Sequence, residues 1–159
     1  MDYLPLLIAV GTNDPNNTKY KVYDTLTDFG CYVKHVPFDL FPEVKNIHTQ
    51  TWNDEDGDDE YMPLQPRYKS YEMEIEFVYK GNYGVANQDI LRFVQTIQGK
   101  WLKIYDTYSQ IGRQMVRYVS MNEKATLYRR NGVNDKGGRD LVVFKLKFKV
   151  NDPVTNITL

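Results

Sequence analysis

The chain has one cysteine, two histidines and almost no excess charge, and each shortage excludes a class of protein. With Cys31 alone, no internal disulfide can form, so the fold rests on packing; a reducing compartment suits such a chain. Cys31, His35 and His48 together fall short of the roughly four ligands that a zinc site takes. Long apolar runs are also missing. Leu4–Val10 is short, no basic residue precedes it, and Gly11-Thr-Asn-Asp-Pro15 follows. It has the features of neither a signal peptide nor a membrane span, and reads as a first strand or a docking arm. No GxGxxG, P-loop, GxSxG or HExxH motif occurs. Lysine and arginine number 20 against 21 acids, a net charge of −1, which argues against a protein built to neutralise nucleic-acid phosphates.

What is present points to β-structure. The 159 residues suit one domain, 1–159, with an N-terminal arm or strand at 1–10, a mobile acidic loop at 53–61 and a short tail at 151–159. Thirteen tyrosines suit half-buried sheet faces and interfaces, since each has an apolar body and a polar tip. Two long segments alternate strictly, and the first of these strands begins near Arg67, after Pro63 and Pro66. Tyr71–Tyr79 carries Glu72, Glu74 and Glu76 on one face, and Leu141–Val150 carries Lys145, Lys147 and Lys149. Each has apolar residues on its other face, so the pair specifies a sheet with one buried and one strongly polar side. If the two strands are antiparallel neighbours, the ladders coincide, pair opposite charges and resist register slip. The same faces are candidates for a subunit interface or a polar lumen.

Between them lies one helical stripe. Val85–Gln98 places Ile90, Phe93, Val94 and Ile97 at helical spacing, with Leu91 on the flank and Gly99 as a stop. Shorter strand-like runs occur at Tyr20–Tyr23, Cys31–Val36, Val44–Trp52, Lys100–Thr107, Gln114–Met121 and Lys124–Arg130, and Gly81-Asn-Tyr-Gly84 reads as a break after the first long strand. Asn131-Gly132 and Asn134–Gly138 mark a polar hairpin tip. The expectation is an α+β fold: a predominantly antiparallel β sandwich or barrel with one amphipathic helix packed against it.

Chemistry is sparse. Asp54, Glu55, Asp56, Asp58, Asp59 and Glu60 surround Gly57. An EF-hand with glycine at its sixth place would put the first ligand at Trp52, which cannot coordinate through its side chain. The loop reads as an irregular cation site or as a solvated interaction loop that meets a basic surface. Cys31 reads as a small buried hydrophobe rather than a nucleophile, since no motif places a base and an orienting acid beside it. Arg129, Arg130, Lys136 and Arg139 make a basic hairpin, open to a nucleic-acid contact or to plain solvation. Gly137-Gly138 precedes a strand rather than a helix, so it makes no phosphate cradle. No catalytic, cofactor-binding or metal residue is expected, and no enzymatic activity.

The loop Trp52-Asn-Asp-Glu-Asp-Gly-Asp-Asp-Glu-Tyr61 leads into the first long strand; a helix with Leu91-Arg-Phe-Val94 follows; then comes Lys100-Trp-Leu-Lys-Ile-Tyr-Asp106. Over about residues 28–150 this order resembles the distal-tail and tail-tube proteins of long-tailed bacteriophages. The resemblance implies a virion structural protein of a phage or prophage tail, assembled in the bacterial cytoplasm as a homo-oligomeric ring, commonly a hexamer, around a central channel. Its partners would be other tail proteins, with no membrane and no sequence-specific nucleic acid. The chain is short for the family, with no room for a carbohydrate-binding appendage. The alternative is a small ligand- or carbohydrate-binding β module using exposed Tyr and Trp.

Overall fold

The computed structural model describes residues 4–82, 84–121, 126–128 and 139–159. Among the described residues, ten strands and two helices follow one another as β1 (Leu6–Val10), β2 (Lys21–Asp24), α1 (Thr25–Phe29), β3 (Cys31–His35), β4 (Thr49–Thr51), β5 (Asp58–Glu60), β6 (Tyr71–Asn82), α2 (Ala86–Ile97), β7 (Leu102–Asp106), β8 (Ile111–Met121), β9 (Thr126–Tyr128) and β10 (Arg139–Val150). The main sheet runs β2-β1-β7-β8-β10-β6-β3, with β9 added on β10, and every pairing is antiparallel. It curls into a half-barrel. The α+β, mostly antiparallel expectation therefore holds.

The two long alternating strands are direct neighbours. β6 and β10 pair over all twelve residues, from Tyr71 opposite Val150 to Asn82 opposite Arg139. Because side chains alternate, Met73, Ile75, Phe77 and Tyr79 face the concave side together with Phe144, Leu146, Phe148 and Val150, and all are buried. The α2 stripe completes the core. Ala86, Ile90, Phe93 and Ile97 are buried, while Leu91 on the flank is exposed. Gly99, at φ +70°, lies just past the helix, the left-handed position that glycine adopts most readily. Aromatic rings link the layers: Tyr23 to Phe29 at 5.5 Å, Phe29 to Phe93 at 4.7 Å, Phe93 to Phe77 at 5.4 Å and Phe77 to Phe144 at 5.5 Å between centroids.

That chain of rings explains a helix absent from the sequence reading. β2 and β3 are the two edges of the sheet, yet they are consecutive in sequence, and the five-residue α1 spans the gap between them. Asp24 caps it: its Oδ1 accepts the N–H groups of Leu26 (2.9 Å) and Thr27 (3.3 Å), and its own N–H donates to Asp28 Oδ2 (2.8 Å). Gly30, at φ +72°, ends the turn. So α1 carries Phe29 into the core and bridges the two edge strands β2 and β3.

Four local expectations need correction. Gly81 and Asn82 continue β6 rather than break it, because β10 supplies partners to its end. Gly81 is required there by a close approach: a Cβ would lie 1.9 Å from the Tyr79 hydroxyl, which donates to Asp89 and ties β6 to α2. The long strand starts at Tyr71 rather than near Arg67. Val44–Trp52 is regular strand only at Thr49–Thr51. β8 begins at Ile111, three residues earlier than the alternation indicated, because its first residues pair with β7. The N-terminal apolar run is a core strand, β1, paired on both sides. The tail is docked: Asn151 N–H donates to the Met115 carbonyl (3.0 Å), Ile157 N–H to the Gly112 carbonyl (3.3 Å), and Gly112 N–H to Asn156 Oδ1 (2.9 Å). The Asn131-Gly132 turn, the Asn134–Gly138 tip with Gly137-Gly138, and the basic residues Arg129, Arg130 and Lys136 lie outside the described residues, as does the side chain of Arg139.

Phe93 touches both Phe29 and Phe77, so truncating it opens a cavity at the junction of both helices and the sheet. Phe93→Ala is expected to lower unfolding free energy by about 3–5 kcal/mol in chemical denaturation. Leu91→Ala, on the exposed flank of the same helix, is expected to change it by less than about 0.5 kcal/mol. Equal effects at the two positions would contradict this packing.

Candidate interaction surfaces

The convex face of the sheet is built by the alternation that fills the core. The register sets Glu76 opposite Lys145, Glu74 opposite Lys147 and Glu72 opposite Lys149. All six candidate ladder residues therefore come together in three cross-strand rows. One ion pair is diagonal: Lys147 Nζ lies 2.9 Å from Glu72 Oε2. Glu76 is reached from the other side by Lys34 of β3 at 3.4 Å. The hydrogen bond from Lys147 holds the Glu72 carboxyl below the usual carboxylate range, with Lys149 and Arg117 contributing; the same bond raises the Lys147 pKa. These are solvent-facing pairs, so they select register more than they add stability.

The acidic residues fall elsewhere and form a second surface. Asp58, Asp59 and Glu60 are strand β5, paired with Thr51, Gln50 and Thr49 of β4, and Asp54, Glu55 and Asp56 sit at the tip with Gly57 at φ +82°. Thr51 Oγ1 donates to Asp58 Oδ1 (2.7 Å) and Trp52 Nε1 to Asp59 Oδ2 (3.0 Å). The hairpin is the end of a longer arm. Below it, Tyr61 N–H donates to the His48 carbonyl (2.9 Å), Lys45 N–H to that of Arg67 (2.7 Å) and Lys69 N–H to that of Glu43 (2.7 Å). Lys69 and Glu43 also form a 3.0 Å ion pair at its root. The expected loop is thus one irregular antiparallel arm over residues 43–69. The sequence carried its signal in the alternation of 44–52, followed by turn formers and a return of similar length.

Other candidates are dispersed. Cys31 is fully buried, its Sγ–H faces the Phe29 carbonyl at 3.6 Å, and burial pushes its pKa up to about 12, with Asp89 adding to the rise. A bulge between Val33 and His35 sends His35 to the convex face opposite Glu76, so it does not share a face with Cys31. Among the described residues no three or more Asp, Glu, His or Cys are grouped to hold a metal ion, and no helix is long and apolar enough to cross a membrane. An open cleft of about 500 Å³ lies where Lys45 and Arg67 meet Asp152 of the tail. Burial opposes the charge of Asp152, but hydrogen bonds from Gln114, Thr155 and Val154 outweigh it and lower its pKa.

Sequence reasoning missed one buried group. Arg113 lies inside the sheet, 6% exposed, and its Nη1 donates to the Gly112 carbonyl (2.8 Å) and to Asn156 Oδ1 (3.3 Å). It packs over Phe38 and helps hold the tail. Its parity in β8 is that of exposed Arg117; the register shift opposite Leu102 and Ile104, with Met115 at φ +53°, turns it onto the buried face of Ile104, so the alternation carried no signal for it.

No protein-family model matches the chain, and no curated protein is significantly similar to it.

Two outcomes follow from the burial of Cys31 and the exposure of the ladder. A thiol reagent at pH 8 is expected to label Cys31 only under unfolding conditions; rapid native labelling would contradict its place in the core. In a double-mutant cycle of Glu72→Gln and Lys147→Gln, coupling is expected to be favourable at neutral pH. Glu72 has a lowered folded-state pKa, so the coupling is complete above the ordinary glutamate range and fades as pH falls through the lowered value. It should also shrink with added salt, and coupling that persists unchanged in acid would contradict the ion pair.

Proposed function

We propose that this chain is a structural, non-catalytic component of a phage or prophage tail that self-assembles into a ring around a central channel. The observation that carries the reading is the division of one curled sheet into an apolar concave face, closed by α2, and a convex face of aligned acid–base rows. A face so rich in fixed charge suits contact with a neighbouring subunit or with a water-filled lumen. The two sheet edges, β2 and β3, present further backbone donors and acceptors to a neighbour. The order of loop, strand, helix and strand that resembles distal-tail and tail-tube proteins supports the same reading.

A ring requires that the chain associate with itself. Light scattering coupled to size exclusion, over a concentration series, is expected to give a mass that rises from monomer to one fixed multiple. Negative-stain electron microscopy of that species should then display a central channel. A monomer at every concentration would contradict the proposal.

A further inference from the structure

The arm over residues 43–69 is the part of the fold that the domain itself does not explain. β4 and β5 pack chiefly on each other, and an isolated two-stranded hairpin is marginal in water. The same excursion and its approach carry a concentration of exposed large apolar side chains: Phe41 is 90% exposed, Leu64 is fully exposed, and Trp52, Tyr61 and Met62 are at least half exposed. Contiguous exposed apolar groups mark contact surfaces, and these five fall within residues 41–64. The arm also holds most of the chain's charge asymmetry. Residues 43–69 hold seven acids against three lysines and arginines, and the rest of the protein has 17 lysines and arginines against 14 acids. The molecule is thus an acidic arm on a basic body.

The body carries a matching feature. In the row Glu72–Lys149–Arg117, the register places Lys149 of β10 directly opposite Arg117 of β8. Like charges directly opposite across strands are destabilising unless an anion covers them. Glu72 also lies beside Lys147, so it is shared among three cations. Arg117 is exposed at the edge of this cluster.

We infer that the acidic arm docks on a second copy of this chain, its 54–60 tip on the Arg117–Lys149 cluster and its apolar side chains against the neighbouring convex surface. This deepens the assembly reading above and rests on it. Arm and acceptor are different surfaces, so the contact is heterologous: each copy that docks leaves one arm and one acceptor free, and association continues until a ring closes.

The test uses the full chain and two variants whose folding is checked by thermal melts. Asp54→Lys/Asp56→Lys spoils the arm but keeps the acceptor. Arg117→Gln/Lys149→Gln spoils the acceptor but keeps the arm. Sedimentation velocity is expected to show each variant associating at least about tenfold more weakly than the unmodified chain. The two mixed together are expected to form a 1:1 dimer and nothing larger, because the one good arm meets the one good acceptor. If the unmodified chain assembles and both variants assemble as it does, the docking is overturned and the ring reading stands. If the variants are weakened but their mixture forms no dimer, the docking is likewise overturned. An unmodified chain that is monomeric throughout overturns both.

Discussion

The pairing of β6 with β10 is the constraint on which the rest of the structure depends. These are the two twelve-residue strands, and they pair along their whole length. β3 hangs on the free side of β6, and β8 and β9 on β10; β7, β1 and β2 follow from β8. A slip of one residue would turn Lys145, Lys147 and Lys149 into the core and Phe144, Leu146 and Phe148 out to water. The hydrophobic term enforces the register, since each large side chain buried is worth roughly 1.5–3 kcal/mol. The charge rows add little energy, but they oppose the same error from the other face.

From that pairing the closure of the half-barrel follows. The curl brings β2 and β3 within reach of one short helix, and α1 places Phe29 between Tyr23 and Phe93. The tail is held differently. It runs along the start of β8, where a Cβ on Gly112 would lie 2.2 Å from the Ile157 carbonyl oxygen, and Arg113 bonds Asn156. The short helix is therefore anchored by rings, and the tail by a polar latch.

The strands with two-residue alternation and the α2 stripe were legible in the sequence because their periods come from burial on one face. The direct pairing of the charged ladders was legible as one of two options, because opposite charges at matched spacing fit a shared row. α1 was not, because five residues give no period; only Asp24, Asp28 and Gly30 marked it. The arm was half legible: the alternation of 44–52 marked its outgoing strand, but the return was hidden because β5 is short, exposed and acidic, and its partner is set by the turn rather than by burial. Arg113 was hidden for the opposite reason: a buried guanidinium depends on partners from the tail, some forty residues away in sequence.

Residue-by-residue hydrogen exchange on the full chain tests the central register most directly. The amides of 73–79 and 142–150 are expected to be the slowest, opening only with global unfolding. Stability measured at those amides should match that from denaturation. Faster exchange in β10 than in α2, or local opening between β6 and β10 while the helix stays protected, would contradict the account.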